Sequence, residues 1–340
     1  MDLLADKGPE VLDAIQRQLP SEAHWKLREG RTLRWWPGDI QQTITADAPT
    51  VDVDLAVFRL SITTRMFEDV GASDVLYDVI AKVNGDASGS ALILDETERC
   101  ILLHASFYIH PENMAWVLTL ATYATTSQMA QAQRLEGFLQ ATLKKQNDAG
   151  RRAVSPHPVH GIRTTVDDMQ AFMSELTQEA DRVPRQFGGR DFRESDGRHG
   201  PDPSVSTQFD ETGLTAEFPF QGRQPAVAGL LKRLFQRTDR PTGTALFTAE
   251  VVEPGDGHAK GCFMKLTLPE PIADARLINQ LNQQERIDPT MLQGTGAWCE
   301  GAHGITYTSF LPSLFQRPGL FGLLYRLAAL RAAWAGRFLA

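Results

Sequence analysis

Apolar and polar residues alternate with a period of two over much of the first hundred positions, and this pattern predicts antiparallel strands. The segments that show it read HWKL, TLRWW, DIQQTITA and VFRLSITTRMF, and two short apolar runs, SALILD and CILLHASFYI, predict further strands. Gly30 marks a hairpin turn between the first two segments, and Pro37-Gly38 marks a tight turn after the second. The polar run ETER predicts the turn of a closing hairpin.

A helical period replaces this alternation at three places in the first half of the chain. Pro9 marks the first turn of a helix within the first 20 residues. The apolar face of that helix carries Val11, Leu12 and Ile15. Ser73 is the predicted N-cap of a second helix, and a long helix is predicted from Pro111 to about Lys145.

The second half repeats this order of elements. Thr165 and Asp168 resemble a capping box that begins a helix. The apolar stripe of that helix is Met169, Phe172, Met173 and Leu176. Predicted strands follow at VSTQF, LTAEFPF, TALFTAEVV and GCFMKLTL, then a helix, the hairpin GAWCE with ITYTSFL, and a final helix. Because the same order of helices and strands occurs twice along the chain, we predict two tandem α+β domains, each an antiparallel sheet packed with helices.

The domain boundaries follow from composition. Residues 1–146 form the first predicted domain and residues 165–340 the second, joined by a linker at 147–164 that is rich in Pro, Gly and charge. The polar stretch 182–203 is predicted to be irregular, and 221–243 is an insertion without a counterpart in the first half.

Composition and charge narrow the classes of function. The chain has 340 residues, 42% of them apolar and 22% charged, with a net charge of −8, as expected of a soluble globular protein. An acidic balance argues against nucleic acid as a partner, because phosphates require clustered Lys and Arg. The start lacks a secretory signal, and Arg326, Arg331 and Arg337 argue against a membrane span in the final helix. A cytoplasmic location is therefore expected.

Candidate metal and phosphate sites are weak. His157 and His160 lie in the predicted linker, and two loop histidines do not supply the three or four ligands of a metal site. The segment GDGHAKG lacks the Gly-Lys-Ser/Thr that opens a phosphate-binding helix, so it is predicted to be a hairpin turn. No cofactor or metal is expected.

The sequence also gives little evidence for a catalytic nucleophile. Cys100 and His104 share one face of a predicted strand about 13 Å apart, too far for a nucleophile and its base. Cys299 and His303 flank a predicted turn and are close enough to approach each other, although a core cysteine beside a polar loop explains the pattern better. The three cysteines form no CxxC pair and are expected to be buried thiols in a reducing compartment. No catalytic residue is predicted.

A family resemblance adds an expectation of function. The segments RTLRWWPGDIQQTI, CILLHASFYIHPENMAW, ETGLTAEFPF and GAWCEGAHGITYTSFLPSLFQRPGL resemble bacterial tandem YbjN-like proteins with a type III secretion chaperone-like fold. The resemblance covers most of the chain outside 147–164 and 182–203, and it rests on strand and turn signatures. It implies a non-enzymatic, chaperone-like module that binds a client peptide or protein, such as a secreted effector or toxin. Single-copy members usually act as dimers, so the tandem chain implies a homodimer or an intramolecular pseudo-dimer.

Two features are candidate partner-binding sites. Trp35 and Trp36 are adjacent in a predicted strand, so one ring is expected under the helices and the other is expected to face outward as an anchor, unless a neighbouring element covers it. The insertion is predicted to contain an amphipathic helix, which either packs on its own sheet or docks a partner. Its apolar side carries Leu230, Leu231, Leu234 and Phe235. The alternatives to client binding are a structural or regulatory subunit that self-associates and, less favoured, a hydrolase with an unrecognised site.

Overall fold

The structure is a computed structural model, and it describes thirteen segments of the chain. These are residues 5–19, 25–36, 40–52, 55–86, 89–111, 113–144, 206–209, 213–220, 243–252, 261–269, 274–288, 293–312 and 320–339. The predicted linker, the helix predicted at Thr165, the irregular stretch 182–203 and all but the last residue of the insertion 221–243 lie outside them. The turn at Pro37-Gly38 also lies outside the described residues.

The first half contains the helices and strands that the residue pattern predicts. The helices are α1 (Gly8–Gln18), α2 (Asp74–Val83) and α3 (Met114–Leu143), with a 3-10 turn at Asn84–Asp86. The strands are β1 (Lys26–Glu29), β2 (Thr32–Trp35), β3 (Gln42–Ala46), β4 (Thr50–Asp52), β5 (Leu55–Phe67), β6 (Ala91–Asp95) and β7 (Cys100–Ile109). Ser73 caps α2 as predicted, because its hydroxyl accepts a hydrogen bond from the Leu76 N–H. Gly30 adopts φ +54° in the turn between β1 and β2.

The described part of the second half follows the same sequence of elements. Its strands are β8 (Ser206–Phe209), β9 (Gly213–Phe220), β10 (Gly243–Val252), β11 (Gly261–Thr267), β12 (Gln293–Gly294), β13 (Gly296–Gly301) and β14 (Gly304–Pro312). Its helices are α4 (Ala275–Ile287) and α5 (Leu320–Leu339). Strands β10 and β11 pair antiparallel, which confirms the hairpin predicted around GDGHAKG.

The two sheets have the same strand order, and every strand pair that the structure describes is antiparallel. The first sheet runs β6-β7-β5-β3-β2-β1, with β4 beside β5 and β12 continuing the line of β6 along β7. The second sheet runs β13-β14-β11-β10-β9-β8. The fold is therefore α+β, with two tandem sheet-plus-helix units, as predicted.

Each sheet packs one face against helices. Helices α1 and α3 contact each other, and α3 contacts β5 and β7, while α5 contacts β9 and β10 of the second sheet. Most buried apolar residues of both halves form one continuous core, and a second, small cluster consists of Ala91, Ile93, Cys100, Leu102 and Ala297. Strand β3 shows why the sequence pattern is informative, since its residues alternate between buried and partly exposed along the strand.

The two halves interlock where their sheets meet. Helix α2 of the first half contacts β13 of the second, and α4 of the second half contacts β6 of the first. Helices α2 and α4 also contact each other, and β12 pairs with β7 across the boundary. Neither β12, which is two residues long, nor β4 is predicted from the sequence. The reciprocal contacts make the two units one packed body.

Asparagine side chains bind the backbone of both junction strands in the same way. The Asn84 amide donates to the Leu92 carbonyl (2.9 Å) and accepts from the Leu92 N–H (2.7 Å). The Asn282 amide does the same with Trp298, at 2.9 and 2.8 Å. Leu92 and Trp298 occupy equivalent positions in their hairpins. Leu92 lies three residues before Asp95, which pairs with Cys100 next to the turn, and Trp298 lies three residues before Gly301, which pairs with Gly304 next to the turn. A repeated fold thus carries a repeated interaction.

A third asparagine joins the two halves. The Asn279 amide donates to the Leu94 carbonyl and accepts from the Leu94 N–H, both at 2.9 Å. Asn279 lies on α4 and Leu94 on β6, so this pair crosses from the second half to the first. Asn279 is completely buried. Together with Asn84 it satisfies the backbone groups on the outer edge of β6, where an open strand edge inside the protein would be costly.

Asn282→Ala is expected to lower the free energy of unfolding by about 2–4 kcal/mol. The substitution leaves the buried N–H and C=O of Trp298 without partners, and each such group costs about 1–3 kcal/mol. Urea unfolding followed by circular dichroism measures the change. Gln284→Ala, at an exposed position of the same helix, is the control and should change stability by less than about 0.5 kcal/mol. Equal losses in the two variants would contradict this interpretation.

Candidate functional site

The two tryptophans do not form the exposed anchor that strand alternation predicts. Trp35 is fully buried and Trp36 is only 4% exposed. Strand β2 ends at Trp35, so the alternation of strand faces does not extend to Trp36. The Trp36 N–H instead donates to the Trp25 carbonyl at 3.0 Å. Trp36 is therefore covered, which is the alternative left open from the sequence rather than the outward-facing anchor, and neither ring is accessible to a partner. Leu230, Leu231, Leu234 and Phe235 lie outside the described residues.

The cysteines are core residues. All three are free and buried. Burial raises the pKa of Cys100 to about 11 and that of Cys262 to about 12, so both are protonated and weakly nucleophilic at neutral pH. The Cys299 thiol donates to the Thr306 carbonyl at 3.2 Å, whereas His303 is exposed in the turn after β13. Cys299 and His303, the second thiol–imidazole pair considered from the sequence, therefore lie in different environments, because the thiol is buried and the imidazole is exposed.

An apolar cavity lies between α5 and the helix-covered face of the second sheet. Its volume is about 40 Å³, enough for about three water-sized groups. Six of its apolar lining residues are Phe247, Met264, Leu266, Leu324, Leu327 and Ala328. Leu120 of α3 also lines it, so both halves contribute to its wall. The polar lining residues are Lys265, Thr295, Tyr307, Ser309 and Arg331. We refer to this space as the apolar cavity.

A buried ion pair forms one wall of the apolar cavity. Arg331 on α5 donates to one Glu285 carboxylate oxygen from Nη2 at 2.5 Å and from Nε at 3.0 Å. The other carboxylate oxygen accepts from the Trp298 indole N–H at 2.8 Å. The guanidinium also lies 3.8 Å from the centre of the Tyr307 ring. Burial acts to lower the pKa of Arg331, but Glu285 and Tyr307 hold it above its ordinary value, so the guanidinium stays charged.

A second, polar cleft lies on the other side of Glu285, at the junction of the two halves. It is lined by Ala91, His104, Ser106, Asn282, Glu285, Arg286 and Gly296, and holds about 10 Å³, roughly one water molecule. Gly296 is required there because a Cβ atom would lie 2.2 Å from the Thr308 carbonyl oxygen. We refer to this space as the junction cleft.

Charged groups from both halves surround the junction cleft. Arg286 on α4 forms an ion pair with Asp95, which is buried at the end of β6. Arg59 on β5 donates to the Ser106 hydroxyl at 3.2 Å and to the Glu285 carbonyl at 3.3 Å. The His104 Nδ1 lies 3.1 Å from the Thr63 hydroxyl. Burial, then Arg59 and Arg286, hold the pKa of His104 well below its ordinary value, so the imidazole is neutral at pH 7.

Sequence reasoning missed these charged groups, although two of them leave a signal. Glu285 continues the buried stripe of α4 that carries Ile278, Leu281 and Asn282. Arg331 lies on α5 beside the buried Ala328, Ala332 and Ala335. A charged residue on an apolar helix face requires a buried partner. The identity of that partner, 46 residues away in this case, is not visible in the pattern.

The structure limits two other classes of site. Among the residues that it describes, no group of three or more His, Cys, Asp or Glu is arranged to hold a metal ion. None of the described helices has the length and apolar character needed to cross a bilayer.

Comparison with protein-family models, with curated proteins and with solved structures gives no match. The resemblance to tandem secretion chaperone-like proteins therefore remains a prediction.

Glu285→Ala is expected to lower the free energy of unfolding by about 3–5 kcal/mol, because it leaves the buried Arg331 charge without a counter-ion. The double variant Glu285→Leu with Arg331→Met should recover most of this loss, since well-packed apolar residues often replace a buried ion pair without cost. Urea unfolding measures both. Glu10→Ala removes an exposed pair with Lys7 and should cost less than about 1 kcal/mol. A double variant as unstable as the single one would contradict this account.

His104 is expected to make the free energy of unfolding fall as the pH is lowered. Its pKa is lowered on folding by burial and by Arg59 and Arg286, so the unfolded chain binds the proton more readily. The stabilisation is therefore present above the unfolded pKa of about 6.5 and is lost below it, by up to about 1.4 kcal/mol per pH unit. His104→Gln should remove this contribution in urea unfolding at pH 7.5, 6.0 and 5.0. His303→Gln, at an exposed position, should retain it, and identical pH profiles for wild type and His104→Gln would disprove it.

Proposed function

We propose that the chain is a non-enzymatic, chaperone-like binding protein that holds an apolar side chain of a client polypeptide in the apolar cavity. The observation that supports this proposal is the composition of the cavity wall. Apolar side chains of the second sheet, of α5 and of α3 surround it, and polar groups are confined to a few positions. Binding sites for apolar groups are built in this way.

The size of the cavity favours a single side chain as its occupant. About 40 Å³ accommodates roughly three or four methylene-sized groups, because one water-sized group needs about 10–15 Å³. That is the end of a Leu, Ile or Met side chain. Binding of this kind would give the protein a preference for extended or partly unfolded segments, whose apolar side chains are not yet buried in their own core.

The chemistry near the cavity also favours binding. Arg331 and Glu285 neutralise each other, and Trp298 and Tyr307 complete their surroundings. The raised pKa of the Cys100 and Cys262 thiols makes them poor nucleophiles. Three free thiols suit a reducing cytoplasm, which we propose as the setting.

The packing of the two halves supports the idea of a pseudo-dimer within one chain. Helices α2 and α4 each contact the junction strand of the opposite half, as equivalent elements of two subunits would. Covalent linkage makes this arrangement independent of protein concentration. The apolar cavity depends on it, since Leu120 comes from the first half.

Self-association is the second candidate function. On α5, Leu330 is 52% exposed and Phe338 is 37% exposed. The two residues are eight positions apart, so they lie on the same side of the helix. A structural or regulatory subunit would use this surface to contact a second copy of the chain.

Ala328→Met is expected to weaken binding of a client peptide at least tenfold, because the longer side chain fills the apolar cavity. The peptides are first selected from a displayed random library on the wild-type protein and then measured by calorimetry. Ala333→Met, at an exposed position of the same helix, is the matched control and should retain affinity. Thermal unfolding of both variants checks that each is folded.

Two outcomes would contradict this proposal. If the selection yields no peptide with an apolar anchor residue, the proposal that the protein binds a client peptide is wrong. If Ala328→Met and wild type bind the peptide with equal affinity, the apolar cavity is not the binding site. Light scattering on the same samples tests the second candidate. A dimer that dissociates on Leu330→Lys would favour self-association, whereas a wild-type monomer would exclude it.

A further inference from the structure

Arg59 is a buried cation without a counter-ion among the described residues. Arg59 is only 8% exposed. It donates its two hydrogen bonds to uncharged oxygens, the Ser106 hydroxyl and the Glu285 carbonyl. Burial lowers the pKa of Arg59, although Tyr108, Asp47 and Glu285 act to raise it, and Arg286 lowers it further. Asp47 is exposed to solvent. A buried guanidinium in this situation is costly unless an anion compensates it.

Three buried nitrogens at or near the junction cleft have no hydrogen-bond partner among the described residues. They are Arg59 Nε, His104 Nε2 and Arg286 Nε. His104 and Arg286 line the cleft, and Arg59 donates to the Ser106 hydroxyl, which lines it too. His104 is only 6% exposed. Unpartnered buried polar groups are rare in folded proteins, so three of them close to one space favour a small hydrogen-bond acceptor there.

The charged side chains that line the cleft or bond directly to its lining residues do not balance. Arg59, Arg286 and Arg331 bring three positive charges, whereas Asp95 and Glu285 bring two negative ones. The exposed Asp47 also acts on Arg59, without forming an ion pair among the described contacts. Asp95 is committed to Arg286, and Glu285 is committed to Arg331. Arg59 is left as the excess charge, beside a neutral imidazole.

We propose that the junction cleft binds one monatomic, monovalent anion such as chloride against Ser106 and His104, next to Arg59. A single negative charge balances this set of side chains, and a dianion would exceed it. The space of about 10 Å³ admits a single small ion and excludes polyatomic anions such as formate, phosphate and sulfate. Arg59 and Arg286 supply the charge attraction, and the Ser106 hydroxyl supplies a further donor.

His104 completes the site as a neutral donor. With Thr63 donating its hydroxyl hydrogen to Nδ1, at 3.1 Å, the imidazole carries its hydrogen on Nε2, where it faces the cleft and donates to the anion. Arg59 and His104 belong to the first half of the chain, and Arg286 belongs to the second. The anion therefore stabilises the contact between the two halves, a function separate from binding in the apolar cavity.

The experiment measures stability against anion concentration at constant ionic strength. Sodium gluconate, whose anion is too large for the cleft, is replaced stepwise by sodium chloride, and urea unfolding gives the folding constant. One bound anion predicts that the logarithm of this constant rises with the logarithm of anion concentration, with a slope that approaches one above the dissociation constant. A slope of zero in the wild type means that the cleft holds only water, which would overturn the proposal.

Arg59→Met is expected to abolish this dependence and to be as stable as the wild type, or more stable, in gluconate alone, since the uncompensated charge is gone. Arg65→Met is the matched control. Arg65 lies on the same strand and the same side of the sheet, but it is exposed and paired with Glu98, so its slope should equal that of the wild type. A slope retained in Arg59→Met would place the anion elsewhere and would also overturn the proposal.

A second measurement covers the case in which Arg59→Met does not fold. The ³⁵Cl resonance of chloride should be broadened by the folded wild-type protein and narrowed again by bromide, a second monatomic anion that competes for the same site. Ser106→Ala should reduce the affinity derived from this titration severalfold. No broadening beyond that caused by the urea-unfolded protein, or no effect of bromide, would rule the site out. The outcome is independent of whether a client peptide binds in the apolar cavity.

Discussion

The structure depends on how the two strand edges at the junction are satisfied. Strands β6 and β13 face the interior with backbone groups that require hydrogen bonds. An asparagine amide presents one donor and one acceptor in the geometry of a peptide group, so it replaces a neighbouring strand. Asn84 and Asn282 do this for their own hairpins, and Asn279 does it across the boundary. These bonds fix α2 and α4 against the strands and hold the two halves together.

The position of α4 in turn explains why charges are buried there. With Asn279 and Asn282 turned to the strands, the next turn of the same helix places Glu285 inside the protein. A buried carboxylate must be paired and hydrogen-bonded. Arg331 from α5 and the Trp298 indole meet that requirement. Arg286, the next residue, reaches Asp95 of the first half. Backbone satisfaction and charge pairing are therefore consequences of one helix placement.

Local pattern predicted the elements well and the contacts between them poorly. Strand alternation, the Ser73 cap and the ETER turn act within about ten residues, and the structure confirms them. The hydrogen bond between Arg59 and Glu285 joins residues 226 positions apart, and periodicity holds no information at that distance. Alternation did not fix the orientation of Trp36 for a related reason, since it predicts that orientation only if the strand continues, and β2 ends one residue earlier. Site prediction failed where partners come from distant segments.

The Arg331–Glu285 pair separates the two spaces that we identify. Arg331 lines the apolar cavity, and Glu285 lines the junction cleft. Moving Arg331 to admit a larger group would leave Glu285 buried without its counter-ion, at a cost of about 3–5 kcal/mol. The pair is thus a rigid wall. If the cavity holds a client side chain as we propose, selection among side chains would rest on their size and apolar character, because this wall is fixed and its two charges are paired.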